Sequence, residues 1–338
     1  MTSPNNDPEP DLIARVQGRL GHLTLNRPAQ INALSVELIT LLRDQLAAMA
    51  ADDRVELVLV DGAGERGLCA GGDVKALYSG IVTGAGPGEF FTREYAMNAA
   101  IAHYRKPYVA VMDGITMGGG VGISGHGSVR IVTERSKVAM PETAIGLFPD
   151  VGALYLLARC PGELGTHMAL TGARLDAAQS LRAGLASHFL PADRLPGLIQ
   201  RLSSGRAALD TIDWPAPPPE PPGLEPGWID ACYASDSIQE ILGRLDARPE
   251  QAARVAAATI RSMSPTSVKV TLAAIRRARS MTVDEVLQQD GSLMPHFLAH
   301  ADLREGIRAQ VIDKDRRPRW NPATLDGVSD DVVAAYFR

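Results

Sequence analysis

Two acidic residues in apolar surroundings, Glu142 and Asp150, are the side chains of this sequence best suited to do chemistry. They stand among Met, Pro, Ile, Leu and Phe, and no Lys or Arg lies between them. A carboxylate is costly to bury in such a setting unless it is paired or has a chemical role. The sequence therefore favours a catalytic pair with environment-tuned pKa values; the alternative is a helix N-cap or an ion pair with a distant Arg.

A triple glycine, Gly118-Gly119-Gly120, lies upstream of these acids and directly follows a predicted strand that begins after Pro107. The small residues behind it predict a close-packed helix, whose N-terminal N–H groups could stabilise an oxyanion. The alternative is that these glycines only allow tight packing. A second small-residue run, Ala70-Gly71-Gly72 before Asp73, likewise indicates a backbone that a ligand approaches closely.

Other motifs point to chemistry more weakly. Gly62–Gly67 matches G-x-G-x-x-G, but no helix glycine or strand-end acid follows as a dinucleotide site requires. Ser124 lies in G-I-S-G rather than G-x-S-x-G, which argues against a serine hydrolase. His296 and His300 lack the glutamate of H-E-x-x-H, so no metal site is predicted. Cys69 is expected to be a small buried residue rather than a nucleophile.

Composition narrows the class of partner. The net charge of −5 without a long basic run predicts neither nucleic acid nor an anionic membrane as partner, and no apolar run approaches the roughly 18 residues of a membrane span. Three scattered cysteines predict neither a disulfide framework nor a zinc site. The N-terminus lacks the basic and apolar regions of a signal peptide, so we expect a cytoplasmic protein.

Strands, glycine loops and helices alternate through the first two hundred residues, which predicts an α/β unit. Trp214–Gly227 is so rich in proline that it predicts a linker, and the pattern beyond it is helical only. The predicted divisions are a flexible tail (1–11), the α/β core (12–210), the linker (211–228) and a C-terminal helical region with an extended tail (229–338). The predicted core begins with a hairpin (12–16 and 20–25) and a helix capped by Ser35, and the helical region begins with one helix over 229–245.

The motifs in this order resemble the crotonase superfamily of enoyl-CoA hydratase/isomerase-like proteins. The resemblance runs from about Leu20 to Leu190 and rests on these segments: Asn26-Arg-Pro, Asn32-Ala-Leu, Cys69-Ala-Gly-Gly-Asp73, Lys106-Pro, Gly114 through Gly120, Met140-Pro-Glu142 and Gly146-x-x-Pro149. It implies a spiral of ββα turns with a C-terminal all-helical region. It also implies an acyl-CoA thioester as substrate, no separate cofactor because coenzyme A is part of the substrate, and a homo-oligomer, either trimer or dimer.

The resemblance assigns site residues position by position. It implies four catalytic residues. The N–H groups of Gly72 and Gly119 would hold the thioester oxygen, and Glu142 and Asp150 would supply the catalytic carboxyl groups. The residues implied in substrate or CoA binding are Asn32, Ala33, Leu34, Ala70, Gly71, Asp73, Val74 and Gly118. Ala29 stands where relatives commonly carry Lys, which removes one contact expected with the CoA phosphates.

Departures from the family pattern narrow the reaction. Gly122 stands where enoyl-CoA hydratases carry the first of two glutamates, whereas Asp150 in Phe148-Pro-Asp-Val-Gly152 resembles the 3-hydroxyisobutyryl-CoA hydrolase branch. The tail segments Asp302–Arg308 and Ile312–Pro322 resemble that branch too. The resemblance thus implies hydrolysis of a short 3-hydroxyacyl-CoA, as in valine catabolism. An enoyl-CoA hydratase or isomerase with one glutamate and a non-catalytic CoA-thioester binder remain as alternatives.

Overall fold

The computed structural model describes residues 10–338; residues 1–9, most of the predicted flexible tail 1–11, lie outside the described residues. The strands are β1 (Leu12–Gln17), β2 (Leu20–Leu25), β3 (Leu57–Gly62), β4 (Tyr108–Met112), β5 (Ile115–Met117), β6 (Val129–Val132), β7 (Lys137–Ala139) and β8 (His188–Phe189). The helices of the first two hundred residues are α1 (Val36–Ala51), α2 (Val74–Thr83), α3 (Gly88–Ala102), α4 (Gly119–Gly125), α5 (Ala153–Leu157), α6 (Leu164–Thr171), α7 (Ala177–Arg182) and α8 (Leu195–Leu202). The later helices are α9 (Pro226–Tyr233), α10 (Ile238–Asp246), α11 (Gln251–Ser262), α12 (Pro265–Ala278), α13 (Val283–Ala299), α14 (Ala301–Ile307) and α15 (Asp330–Ala335).

The main sheet has the order β1-β2-β3-β4-β6-β8, and β5 pairs with β7 in a second, two-stranded sheet. The predicted hairpin is confirmed: β1 and β2 are antiparallel, with Leu12 opposite Leu25. Every other pair in the main sheet is parallel. Because β3 and β4 are parallel neighbours, the chain leaves both strands at the same edge of the sheet, where α/β proteins place ligands. The loop after β3 then runs beside β5, through the bridges Gly67–Gly114 and Cys69–Thr116, and the triple glycine follows β5.

The helix boundaries agree with the sequence prediction at the start of α1 and depart from it at three other places. Ser35 accepts the Leu38 N–H at 3.1 Å, as its N-cap position predicts. The prediction of one helix over 229–245 is wrong, because α9 ends at Tyr233 and Ser237 caps a new helix, α10. Moreover, α9 begins at Pro226, inside the predicted linker, since proline suits the first turn of a helix. The helix α2 has no counterpart in the sequence prediction.

The C-terminal helices pack directly on the turn that carries Glu142. A Cβ at Gly146 would overlap the Asp302 backbone, and one at Gly306 would overlap Ile145, so α14 and this turn meet backbone to backbone. The Phe148 and Phe297 rings join the same interface with centroids 5.0 Å apart. One continuous apolar core includes side chains from both sides of this contact. The domain boundaries remain a prediction, but the C-terminal helices complete the environment of the acidic pair.

Candidate active site

One cavity of about 340 Å³ lies at the sheet edge where the two glycine loops meet. The loop after β3 contributes residues 70–72 to its wall, and the loop before α4 contributes Gly118 and Gly119. Three carboxyl side chains line the same cavity, those of Glu94, Glu142 and Asp150. Apolar side chains from α2, α3 and α14 form much of the remaining wall, including Leu77, Phe90, Phe91, Leu303 and Ile307. The polar side chains of Arg174 and Gln310 also line the cavity.

The N–H groups of Gly72 and Gly119 lie side by side in this wall. A Cβ at Gly119 would stand 3.5 Å from the Gly72 nitrogen, and one at Gly71 would stand 3.6 Å from the Gly119 nitrogen. Gly119 is the first residue of α4, where helix geometry leaves the N–H without an intrahelical acceptor. Within residues 10–338, neither N–H donates a hydrogen bond outside its own helix or strand. The pair is therefore arranged to receive an oxyanion.

Glu142 begins the 3-10 turn Glu142–Ile145 and is only 6% exposed. Its Oε1 sits against Gly118, where a Cβ would lie 2.9 Å away, and its Oε2 has no hydrogen-bond partner in the described part of the chain. Burial first, and then repulsion by Asp150, raise the pKa of Glu142 well above its usual range. Such a carboxyl can hold or accept a proton near neutral pH.

Asp150 differs from Glu142 in having a hydrogen-bond donor. The Tyr95 hydroxyl, from α3, donates to Asp150 Oδ2 at 2.8 Å. Burial raises the pKa of Asp150 to about 6, and the Tyr95 hydrogen bond opposes that rise because it stabilises the anion. Asp150 is therefore the more acidic member of the pair and the first to carry a negative charge.

Glu94 is the site residue that the sequence prediction missed. It lies on α3, is 2% exposed and has an Oε1 without a hydrogen-bond partner among residues 10–338. Burial first, and then repulsion by Asp150 and Glu142, raise the pKa of Glu94 well above its usual range. A signal was present: Phe90, Phe91 and Ile101 recur at helical spacing around Glu94, which places an acid on the apolar face of the helix.

The remaining predicted binding residues fall into two groups. Ala70, Gly71, Val74 and Gly118 line the cavity. Asn32, Ala33, Leu34 and Asp73 are not part of the cavity wall and instead hold the loops that form it. Their part in substrate binding remains a prediction.

The structural contacts of this second group are specific. The Asn32 amide donates to the carbonyl oxygens of Ala63 and Gly67, each at 3.1 Å. Asp73 accepts the Ala76 N–H at the start of α2 and pairs with Arg27 at 3.0 Å. The Ala33 carbonyl oxygen accepts a hydrogen bond from the same arginine. Leu34 packs behind Gly119, because a Cβ there would lie 2.9 Å from its side chain.

Gly122 has no room for a side chain. A Cβ at this position would lie 2.7 Å from Asn98 Nδ2 and 2.8 Å from Val151 Cβ. Contacts below 3.0 Å require the surroundings to shift, and Val151 is itself buried next to Asp150. A glutamate at 122 is therefore incompatible with the observed position of the Asp150 turn.

The residues of the weaker motifs do not line the cavity and have structural contacts instead. Ser124 donates its hydroxyl hydrogen bond to the Gly120 carbonyl at 2.7 Å, within its own helix. Cys69 is buried, and burial raises the pKa of its thiol to about 12. His296 stacks on Tyr336 with ring centroids 5.2 Å apart. Over residues 10–338, no cluster of three His, Cys, Asp or Glu side chains is arranged to hold a metal ion.

None of the helices within residues 10–338 combines the length and the apolar character needed to cross a membrane.

Comparison with known proteins yields one family and several close relatives. The model of the enoyl-CoA hydratase/isomerase family matches residues 20–337. A curated relative from Xenopus tropicalis, named 3-hydroxyisobutyryl-CoA hydrolase, mitochondrial, is 40% identical over 95% of this chain and 86% of its own length. A crystal structure named carnitinyl-CoA dehydratase from Mycobacterium thermoresistibile superposes with a TM-score of 0.92 at 44% identity, covering 97% of this chain and 96% of that one. Another, named an enoyl-CoA hydratase from Rhodobacter sphaeroides, has the same TM-score at 39% identity and covers 97% of each chain.

Proposed function

The chain belongs to the enoyl-CoA hydratase/isomerase family and has the crotonase fold, and from that premise we propose that it hydrolyses 3-hydroxyisobutyryl-CoA to the free acid and coenzyme A. Curated relatives from animals and plants at 37–40% identity carry the name of this hydrolase. The reaction would place the chain in valine catabolism. The observation that carries the proposal is the single cavity that joins two free glycine N–H groups to Glu142 and Asp150.

In the proposed reaction, the thioester oxygen lies between the N–H groups of Gly72 and Gly119. Negative charge grows on this oxygen as the carbonyl carbon becomes tetrahedral, so donors fixed in advance lower the barrier. Glu142 either attacks the carbonyl carbon with a carboxylate oxygen or removes a proton from a water that attacks it. Collapse of the tetrahedral adduct breaks the C–S bond, and on the water route the departing coenzyme A thiolate takes up the proton held by Glu142. On the other route, water hydrolyses the anhydride, which restores the Glu142 carboxylate and releases the acid and the proton that the thiolate takes up.

The two other carboxyl groups have different parts in this proposal. Asp150, the more acidic of the pair, accepts a hydrogen bond from the 3-hydroxyl of the substrate or relays a proton. Glu94 lies so close to Gly119 that a Cβ there would overlap its Oε1. An anion at that place would repel the oxyanion, and the burial that raises the pKa of Glu94 disfavours such an anion.

The test is the release of coenzyme A from 3-hydroxyisobutyryl-CoA, followed with a thiol reagent. We expect Glu142→Ala to lower kcat by about 10³-fold or more, because both roles of Glu142 require its carboxylate. Coenzyme A binding, measured by calorimetry, should survive. Glu89→Gln on the exposed first turn of α3 is the matched control and should leave turnover unchanged. Near wild-type turnover in Glu142→Ala would contradict the proposal.

A labelling experiment can identify the nucleophilic role of Glu142, because label in its carboxylate requires an anhydride; attack of water on the substrate carbonyl of that anhydride would give the same label distribution as direct hydrolysis. A single turnover in ¹⁸O-labelled water should place ¹⁸O in the Glu142 carboxylate if an anhydride with this residue forms and water attacks its protein carbonyl. Direct attack of water on the thioester leaves the label only in the product acid. Mass spectrometry of the peptide that contains Glu142 measures the difference.

Reversible hydration of a short enoyl-CoA is the second candidate function. The observation that favours it is Glu94, a second glutamate on the cavity wall, together with the hydratase and dehydratase names of the two structures with a TM-score of 0.92. The closed space at Gly122 supports hydrolysis instead, because the family's first glutamate has no place there. Loss of crotonyl-CoA absorbance, assayed beside thiol release, separates the two; hydrolysis requires thiol release to dominate. Tight CoA binding without either activity would favour a non-catalytic binder.

We also propose a reducing compartment, the cytoplasm, and a homo-oligomer. Three free, buried cysteines support the first, since disulfides are rare in such compartments. The names of several vertebrate relatives place those proteins in mitochondria, so fractionation of the source cells is the decisive measurement. Light scattering coupled to size-exclusion chromatography would separate dimer and trimer from monomer.

A further inference from the structure

A fourth buried carboxyl group, that of Asp290, lies behind the proposed site and has no part in the reaction described above. It is on α13 in the C-terminal region, has no exposed surface and is not part of the cavity wall. Its Oδ2 accepts the Gly152 N–H at 2.8 Å, and its Oδ1 has no hydrogen-bond partner in the described chain. Burial of a carboxyl group with an unpaired oxygen costs folding free energy, so we expect Asp290 to have a structural or catalytic role.

The turn that Asp290 holds is strained. Val151 has φ of +56° and Gly152 has φ of +72°, so two successive residues are left-handed. A β-branched residue rarely adopts this conformation, and it persists only where the surroundings impose it. The strained pair follows Asp150 directly and precedes α5. The direction in which Asp150 points therefore depends on what holds this turn.

Two side chains from distant elements form hydrogen bonds with the backbone of the turn that follows Asp150. Asp290 binds the Gly152 N–H, and His126, the residue after α4, donates its Nε2–H to the Val151 carbonyl at 2.8 Å. A Cβ at Gly152 would lie 2.9 Å from His126 Nε2, so the glycine is required for this approach. Tyr95 then fixes the Asp150 carboxylate itself.

We propose that Asp290 is a positioning residue for Asp150: its carboxyl group holds the Gly152 N–H and thereby fixes the left-handed turn that directs Asp150 into the cavity. This inference rests on the proposed function, because it assigns Asp150 a part in the thioester reaction. It extends that function by making the C-terminal helix α13 a support of the catalytic pair rather than only a cover for the core.

The groups around Asp290 determine the direction in which its pKa is shifted. The titratable groups that face this corner are Glu94 and Tyr95 on α3, Asp150 in the turn and His126. None of the four carboxyl groups forms an ion pair with Lys, Arg or His within residues 10–338. Burial and repulsion by Asp150 raise the pKa of Asp290 well above its usual range, and burial lowers that of His126. Both effects disfavour a negative charge at Asp290, and its observed role in the turn is that of a hydrogen-bond acceptor for the Gly152 N–H.

The test compares three variants on the full chain. Asp290→Asn keeps an acceptor for the Gly152 N–H, so kcat and the pH profile of kcat/KM should stay within about twofold of wild type. Asp290→Ala removes the acceptor, and kcat should fall about 10- to 100-fold with KM changed less than threefold, on the scale expected when a catalytic group is misplaced. Gly291→Ala, one residue along the same helix with open space around its Cβ, is the matched control. If Asp290→Ala does not give folded protein, Asp290→Leu fills the space without an acceptor.

Combination with Asp150→Asn separates positioning from a general structural role. Asp290→Ala should cause no further loss of kcat in the Asp150→Asn background, since the group it positions is already gone. Losses that multiply would overturn the proposal. So would an acid limb displaced in Asp290→Asn, because that displacement would mean that Asp290 acts as a charge.

Amide exchange tests the turn without any turnover assay. The Gly152 amide should exchange faster with solvent in Asp290→Ala and stay protected in Asp290→Asn, as measured by NMR or mass spectrometry of the peptide around it. If the wild-type protein releases no coenzyme A from any 3-hydroxyacyl-CoA, the proposed function fails while this measurement still decides whether Asp290 holds the turn. Unchanged exchange of the Gly152 amide in Asp290→Ala would overturn the proposal that Asp290 holds the turn.

Discussion

The two sides of the cavity are built from different parts of the backbone and side chains. On one side, Gly72 and Gly119 offer main-chain N–H groups, the first from the loop after β3 and the second from the start of α4, just after β5. On the other side, Glu94, Glu142 and Asp150 offer carboxyl groups from α3 and from two successive turns within residues 142–152. The glycine side depends on the local course of the chain, whereas the carboxyl side depends on packing between elements far apart in sequence.

Because the two sides are built differently, we expect substitutions on each side to have different effects on catalysis. The donors on the glycine side are fixed by backbone geometry and carry no titratable group. The carboxyl groups share one poorly solvated space: repulsion by Asp150 raises the pKa of Glu94 and of Glu142, and repulsion by Glu142 also raises that of Glu94. We therefore expect changes on the glycine side to act on kcat at every pH, and changes on the carboxyl side to act through pH dependence.

The largest effect in this comparison should come from Gly119→Ala. The added Cβ would overlap Glu94 Oε1 and lie 2.9 Å from Leu34, so the N–H of residue 119 must move away from the thioester oxygen. Loss of one oxyanion donor lowers kcat by about 10²- to 10³-fold. Release of coenzyme A at several pH values measures it, and the loss should be the same at each. The control is Gly243→Ala in α10, where a Cβ meets nothing.

Asp150→Asn should have a smaller effect on rate and a characteristic effect on pH dependence. Repulsion by Asp150 helps to hold the pKa of Glu142 high, so removal of the charge lowers that pKa. Glu142 then ionises at lower pH, and the acid limb of kcat/KM moves toward lower pH. The loss of kcat itself should be about 10²-fold, as for loss of one proton-transfer group.

Tyr95→Phe should shift the acid limb of kcat/KM in the direction opposite to the shift in Asp150→Asn. The Tyr95 hydroxyl stabilises the Asp150 anion, so its removal raises the pKa of Asp150. A shift of the acid limb in the same direction for both variants would contradict the assignment of Asp150 as the more acidic carboxyl.

The sequence predicted that the two glycine runs lie together, and both line the cavity; their oxyanion role remains a prediction. The glycines could also serve only tight packing, and the short strand β5 between β4 and the triple glycine was not separated from β4 in the sequence. The family resemblance is confirmed by the family model over residues 20–337 and by structures that superpose with TM-scores of 0.92.

The carboxyl side was only half predictable. Glu142 and Asp150 stand in a recognisable motif, but Glu94 and Asp290 are single acids on long amphipathic helices. Helical spacing places each of them on an apolar face, which marks them as unusual. Spacing cannot show that α3 and α13 bring them to the same turn, because that depends on how the C-terminal helices pack on the core.

The smallest effect should come from Ile307→Val in α14, which tests the C-terminal contribution to the cavity wall. Ile307 is buried and lines the cavity, so loss of one methyl group enlarges the space for the acyl chain or its neighbours. A methylene in a hydrophobic pocket is worth about 1–3 kcal/mol of discrimination. The ratio of kcat/KM for a 3-hydroxyacyl-CoA one methylene longer to that for 3-hydroxyisobutyryl-CoA should therefore rise about tenfold or less.

Ile260→Val in α11 is the control for this last prediction. Ile260 is equally buried but lies away from the cavity, so both variants should lose about 0.5–1.5 kcal/mol of folding stability. Only Ile307→Val should change the ratio of substrates. An equal change in both variants would mean that the C-terminal helices influence the reaction through stability alone, and the contrast between the two sides of the cavity would then reduce to a contrast between a catalytic core and a cover.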